Sequence, residues 1–247
     1  TRNGLAAGTY IAIDSDANGC LDSLHILITQ PNSAFAAAKA STNVLCNGGT
    51  SGTATLTLSG GTTPYGTVSW SDAGSGTSRT GLAAGQYGYT VSDANLCKDT
   101  GTIVITEPTK FTIQEDSVNV KCKGLPTGSI TLTPSGGTTP YGTVTWGDGP
   151  TGLTRSNLAS NLYTYTVADA KGCPLSGDIN ITEPAQAFSL SHVQTDVKCF
   201  GDATGSITLT QSGGTTPYAT PQWLDLAVGI TRNGLAAGTY IAIDSDA

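Results

Sequence analysis

Cysteine is the side chain in this 247-residue sequence best equipped for covalent chemistry, and its six copies recur in register. Cys46 stands 51 residues before Cys97 and Cys122 stands 51 before Cys173, while Cys20 and Cys199 hold the same two positions in flanking copies. No histidine lies close enough to complete a zinc set, so the spacing points to disulfides and an oxidising, extracellular setting. A bridge within each segment, Cys46–Cys97 and Cys122–Cys173, is the first expectation; closing such a loop is worth about 3–4 kcal/mol in the chain-entropy model. A bridge between neighbouring segments is the rival, because the first turn and the last hairpin of an ordinary β-sandwich lie at opposite ends. Reduced thiols are the third possibility.

Other chemistry is sparse. Asp14-x-Asp16-x-Asn18-Gly19 alternates oxygen ligands before a glycine, like the start of a calcium loop, where other copies have Val91 and Val167. The twelfth position is His25 instead of a bidentate Glu, so an ordinary hairpin turn competes, with Ile11 and Ile13 supplying its buried face. His25 and His192 occupy different places in the copies, and no Ser or Cys nucleophile has a repeated base. Gly-Gly-Thr-Thr lacks the Lys-Ser/Thr and helix of a phosphate loop and reads as a turn. No enzyme and no cofactor follow from this inventory.

Those residues sit in a tandem repeat. Ser-Gly-Gly-Thr-Thr-Pro-Tyr occurs at Ser59–Tyr65, Ser135–Tyr141 and Ser212–Tyr218, spaced 76 and 77 residues apart. Each copy carries the same flanks: Cys-x-Gly and a Gly-Ser/Thr-x-Thr-Leu strand upstream, then Trp70, Trp146 or Trp223 and Arg79, Arg155 or Arg232 downstream. Leu-Ala-x-x-x-Tyr, an Asp-Ala turn, a second cysteine and Ile-Thr-Gln/Glu-Pro close the unit. Thr1–Ala17 recurs letter for letter as Thr231–Ala247, so a larger unit three segments long overlies the first. The expected division is the C-terminal half of a repeat at 1–31, complete repeats at 32–108 and 109–184, and a repeat lacking its last strand at 185–247. The sequence reads as a window from a longer array.

Composition narrows the partners. Charged residues are 12% of the chain, net charge is −7 and Lys+Arg number 11, which argues against a nucleic-acid partner. No apolar run approaches the roughly 20 residues of a membrane-spanning helix.

The elements that must position these residues are short β-type runs separated by Gly, Pro, Asn or Asp. About seven are expected between 109 and 184: Phe111–Glu115, Val118–Lys121, Ser129–Thr133, Thr143–Trp146, Thr154–Leu158, Tyr163–Ala168 and Asp178–Thr182. Alternation in Ser129–Thr133 turns Ile130 and Leu132 inward. Tandem immunoglobulin-like β-sandwiches are the predicted fold, with the single Trp filling the space between sheets and Leu82 to Tyr87 forming a tyrosine corner. Asn161 replaces the corner's glycine in one copy, as a residue tolerant of a left-handed turn. Short linkers such as Ile105-Thr106-Glu107-Pro108 predict a semi-rigid rod or superhelix. The Asp kept in every copy (Asp16, Asp93, Asp169, Asp246) and the repeated arginine invite a pairing. Leu224, Leu226, Val228 and Ile230 form an apolar row in one copy only and are candidates for contact with a neighbouring repeat.

Taken together, Cys-x-Gly, Gly-Ser-Ile-Thr-Leu, Gly-Gly-Thr-x-Pro-Tyr with its following Trp, Leu-Ala-Ala-Gly-x-Tyr, Asp-Ala-Asn-x-Cys and Ile-Thr-Glu-Pro resemble the SprB repeat family across essentially the whole chain. The resemblance implies a segment of a very large cell-surface adhesin of gliding bacteria, exported by the type IX system and moved by the gliding machinery. Its implied partners are neighbouring repeats, that machinery and an external surface or polysaccharide. A passive stalk, or glycan recognition by each domain, are the alternatives. Asp22-Ser23-Leu24 and Asp116-Ser117-Val118 also resemble the O-glycosylation sequon of that bacterial group, which makes Ser23 and Ser117 candidate sites.

Overall fold

The computed structural model describes residues 1–246, and every regular element in it is a β-strand. The chain divides into two compact units, Thr1–Pro108 and Thr109–Ala247. The first holds β1 (Gly8–Ser15), β2 (Leu21–Ile28), β3 (Ala36–Thr42), β4 (Gly52–Ser59), β5 (Ser69–Trp70), β6 (Ser78–Leu82), β7 (Gly85–Ser92) and β8 (Lys98–Ile105). The second holds β9 (Thr112–Val118), β10 (Gly128–Ser135), β11 (Thr145–Trp146), β12 (Thr154–Leu158), β13 (Asn161–Ala168), β14 (Pro174–Ile181), β15 (Ser189–Thr195), β16 (Gly205–Ser212), β17 (Gln222–Trp223), β18 (Thr231–Leu235) and β19 (Ala242–Ile243).

Each complete repeat builds two three-stranded sheets in one pattern, β3-β4-β6 with β5-β7-β8, and β9-β10-β12 with β11-β13-β14. The first, second and fourth strands share one sheet, and the third, fifth and sixth the other, which is the immunoglobulin-like partition. In residues 185–246, β15-β16-β18 faces only β17-β19, and β1-β2 stands as a two-stranded ribbon.

Period-two patterning decides which face is buried. Along β10, Ile130 and Leu132 are 1% and 2% exposed, while Thr131 and Thr133 point outward. The outer face is correspondingly rich in hydroxyls, and Thr42 Oγ1 meets Thr53 Oγ1 across β3 and β4 at 2.7 Å. Trp146 fills the space between the sheets, edge-on to Tyr165 with ring centroids 5.6 Å apart. Its indole N–H donates to the Gly152 carbonyl at 2.9 Å, so burying the ring strands no polar atom. The tyrosine corner is present in every copy: the phenols of Tyr10, Tyr87, Tyr163 and Tyr240 donate to the carbonyls of Ala6, Ala83, Ala159 and Ala236 at 2.9–3.0 Å.

Three local expectations change. Residues 109–184 form six strands, because Val118 ends β9 and Asn119–Lys121 turns away. Val120 is buried, as its apolar side chain requires, but its N–H makes a single bond to the Thr182 carbonyl at 2.9 Å and joins no ladder. The left-handed residue near the tyrosine corner is Asn157 (φ 55°), four positions before Asn161 and equivalent to Gly81 in the preceding copy. It lies where the β10–β12 register shifts. Ile11 and Ile13 are exposed, since they align with Gly88 and Thr90 on the outward face of β7, whereas Tyr89 and Val91 point inward.

Replacing Trp146 with Ala should cost about 3–5 kcal/mol of stability, as expected for deleting a fully buried ring. Urea titrations of the wild-type and Trp146→Ala chains measure this; a loss below about 1 kcal/mol would show that the ring is not a core element.

Candidate functional site

The repeated motifs meet at the two ends of each sandwich. At the entrance, the two glycines of Ser-Gly-Gly-Thr-Thr-Pro-Tyr take left-handed φ near +58° to +70°, and the Thr–Pro bond is cis in all three copies. Tyr65 closes the turn by donating to the Gly60 carbonyl at 2.9 Å, and its ring lies 5.3 Å from that of Phe35 on the incoming chain. Gly61 N–H donates to the Ser33 carbonyl at 3.0 Å, and Gly137 N–H to the Thr109 carbonyl at 2.9 Å.

The retained aspartate locks this turn to the Asp-Ala hairpin. Asp93 is 2% exposed; its Oδ2 accepts the Thr62 N–H, and its Oδ1 accepts those of Asn95 and Cys97, each at 2.9 Å. Asp169 repeats this with Thr138, Lys171 and Cys173, and Asp246 accepts the Thr215 N–H. The Thr62 amide is the main force holding the Asp93 carboxyl below the usual range, with Cys97 and Asn95 adding to it against the opposing effect of burial. At Asp169 burial is the largest single influence and acts upward, but the amides of Cys173, Thr138 and Lys171 together outweigh it. Gly61 must lack a side chain, since a Cβ there would lie 2.5 Å from Asp93 Oδ2.

The expected Asp–Arg pairing therefore does not form. The arginines bind other aspartates, two residues after each Trp: Arg79 with Asp72 at 2.8 and 2.7 Å, Arg155 with Asp148 at 2.8 Å, and Arg232 with Asp225 at 3.0 and 2.7 Å. Each guanidinium also lies between the Trp and the corner Tyr, 5.2 and 5.0 Å from the two ring centroids at Arg155. Hydrogen bonding from Arg79 holds the Asp72 carboxyl down to about 2.

At the exit, the Cys-x-Gly loop grips the closing Ile-Thr-Glu-Pro. Gly48 N–H donates to Glu107 Oε2 at 2.5 Å and Asn47 Nδ2 to the Pro108 carbonyl at 3.1 Å. In the next copy Gly124 N–H donates to Glu183 Oε2 at 2.8 Å, and Lys123 Nζ donates to the Ala185 carbonyl.

This layout corrects the first expectation for the cysteines. Cys46 and Cys173 are disulfide-bonded, whereas Cys20, Cys97, Cys122 and Cys199 are free thiols. Within a repeat the first cysteine sits at the exit, beside the end of β8, and the second precedes its start. Eight strand residues separate those points, roughly 25 Å, while a disulfide needs Cα atoms about 4.4–6.8 Å apart.

The remaining candidates separate. Asp16 Oδ1 caps its own hairpin, accepting the N–H groups of Asn18 and Cys20 at 2.9 Å, and Asp14 Oδ1 accepts the N–H of Ser15. Among the described residues no group of three or more His, Cys, Asp or Glu could hold a metal ion. The Val-to-Asp change at Asp244 has a partner of its own, for Gln211 Nε2 donates to Asp244 Oδ2 at 2.6 Å; the equivalent positions in the complete repeats hold Leu58 with Val91 and Pro134 with Val167. Leu224, Leu226, Val228 and Ile230 are exposed, and Leu226 is 91% so. They follow Trp223 in a tight turn where Leu226 is left-handed (φ 68°), and Leu224 lines a shallow hollow with Arg232, Tyr240 and Ile241. Ser23 and Ser117 lie exposed on β2 and β9.

Three stretches match the SprB repeat model, residues 38–74, 114–151 and 191–226. The chain carries SprB repeats. Each matched stretch runs from the first strand of a sandwich through the Gly-Gly-Thr-Thr-Pro-Tyr turn to the Trp and the turn beyond it. No curated protein matches the chain significantly. These are repeats of an adhesin-like kind, and the motifs that define them here are core and junction parts.

Two expected outcomes follow from the aspartate lock. Folded-state values below the ordinary Asp value of about 3.9 mean that Asp93, Asp169 and Asp72 stabilise fully above about pH 4. That stability is lost as pH falls through the folded values, down to about 2 at Asp72. Urea midpoints measured from pH 7 to pH 2 should stay level and then drop, with a shallower drop in Asp169→Asn; a flat acid limb in the wild type contradicts the lock. Gly61→Ala should destabilise far more than Gly76→Ala, since both have positive φ but a Cβ at Gly76 meets nothing within 4 Å. The Gly76 variant should lose only about 1 kcal/mol, the cost of a left-handed alanine, and equal losses would remove the steric argument.

Proposed function

We propose that this chain is a repeat segment of a long extracellular adhesin filament that takes part in surface attachment and gliding, and that it has a structural and not a catalytic task. The SprB repeat match supports the adhesin setting. The observation that carries the structural reading is where the motif residues go: Gly61, Thr62, Tyr65 and Asp93 hold the entrance, and Asn47, Gly48 and Glu107 hold the exit. A polypeptide under tension is loaded at those two points in every repeat. An oxidised cysteine pair accords with an extracellular location.

One observation favours the stalk as a second reading. The repeated aromatics Trp70, Tyr89, Trp146 and Tyr165 are buried and so do not offer their faces to a sugar ring. In that reading these repeats display a functional tip carried elsewhere in the filament.

Beads coated with the chain, tested on glass, on polysaccharide films and on cells, separate the two. Retention on at least one surface above that of beads coated with an unrelated β-sandwich is the adhesive outcome. Equal retention on all three leaves the stalk reading and refutes direct attachment by these repeats.

A further inference from the structure

We infer that one pair of facing residues on the last two strands of a repeat is a size key, which decides the last strand that the repeat accepts and rejects a strand cut for the opposite key. Within Thr1–Pro108 both forms of the key are present, Tyr89 with Gly101 and Ala12 with Leu24.

Strand β7 pairs with β8 from Gly85↔Ile105 onward, and this register sets Tyr89 opposite Gly101. The Tyr89 ring is 5% exposed and stands edge-on to Trp70, with centroids 5.9 Å apart. It fills the space across the ladder: a Cβ at Gly101 would lie 2.8 Å from the Tyr89 hydroxyl oxygen and 2.9 Å from its Cε1. The backbone at Gly101 is ordinary strand, outside the left-handed region, so close approach and not turn geometry explains the glycine. Residues 109–184 show the same form by themselves. There Tyr165 faces Gly177, and a Cβ at Gly177 would lie 2.6 Å from the Tyr165 hydroxyl oxygen.

Strand β1 pairs with β2 in the same register, from Gly8↔Ile28, and here the position is filled the other way round, with Ala12 facing Leu24. Ala242 is the small residue again, paired with Trp223 as Tyr89 is paired with Trp70. In either form one side chain is bulky and its partner small, so a change on one strand is answered on the other.

An exchanged pairing fails in both directions. β2 against β7 would place Leu24 where a single added carbon already meets the Tyr89 ring, and β8 against β1 would set glycine opposite Ala12 and leave the volume of a ring unfilled. Tandem copies of one sequence are prone to trading strands as they fold, because their backbone ladders are interchangeable. Opposite keys oppose that error with a clash one way and a void the other.

The test is a double-mutant cycle on the full chain, read by hydrogen–deuterium exchange in peptides from β7 and β8 and by size-exclusion chromatography after refolding from urea. Gly101→Leu should speed exchange in both strands about tenfold or more, as overpacking a core does. Tyr89→Ala should speed it about a hundredfold through the void it leaves. The double variant Tyr89→Ala/Gly101→Leu carries the key of β1–β2 and should return to within about threefold of the wild type. It should also refold with a several-fold larger fraction of strand-exchanged dimer, because β2 and β8 then fit either partner. Losses that simply add in the double variant, or a dimer fraction equal to that of the wild type, overturn the proposal.

Discussion

A carboxylate enclosed by backbone amides is the contact on which each repeat depends. Asp93 and Asp169 have little solvent access, and the carboxylate of each is bound by backbone N–H groups. Three N–H donors, one from the Gly-Gly-Thr-Thr turn and two from the Asp-Ala hairpin, replace the water that burial removes. Because those donors come from loops 31 residues apart, one side chain sets the spacing of two otherwise irregular segments. The paired glycines, the cis proline and the tyrosine that closes on the first glycine make the turn that this carboxylate can hold. The heptapeptide and the aspartate are two halves of one device.

The arginines have a separate task. Each ties the turn after the tryptophan to the inter-sheet edge, using a two-pronged contact to aspartate and the faces of two rings. Lysine has neither the fork nor the flat face, which explains arginine in all three copies. The core proper is apolar and ordinary, and what distinguishes this sandwich is the polar hardware at its margins.

Much of this was legible in the residues. Alternation in Ser129–Thr133 reports the face that Ile130 and Leu132 bury, and the Trp and Leu-Ala-x-x-x-Tyr motifs act through single side chains whose roles are local. Less legible were contacts whose second partner is backbone, since nothing in the letters shows that the retained Asp accepts amides and leaves the Arg alone. The true partner of the Arg did leave a trace, a Trp-x-Asp in each copy seven residues ahead of it. Gln211 and Asp244 likewise depart from the template together, in the same repeat, and read jointly they announce a hydrogen-bonded pair where the complete repeats carry apolar residues. Ile11 and Ile13 align with the outward Gly88 and Thr90 of β7, and an offset of one residue in that alignment inverts every side chain of a strand. That Cys97 and Cys122 stay free needed the third dimension, because equal spacing along the chain says nothing about which end of a sandwich a loop occupies.

The placement of entrance and exit has a mechanical corollary. In residues 109–184 the chain enters beside Ser135 along β9 and leaves at Ile181 after running the length of β14. Pulling the two ends apart drags β9 lengthwise against β10, across seven consecutive residue pairs in register. Those bonds resist in shear and must yield together, whereas a hairpin peeled from its open end surrenders its bonds singly. A module of this topology meets a tug between its own ends along its strongest axis.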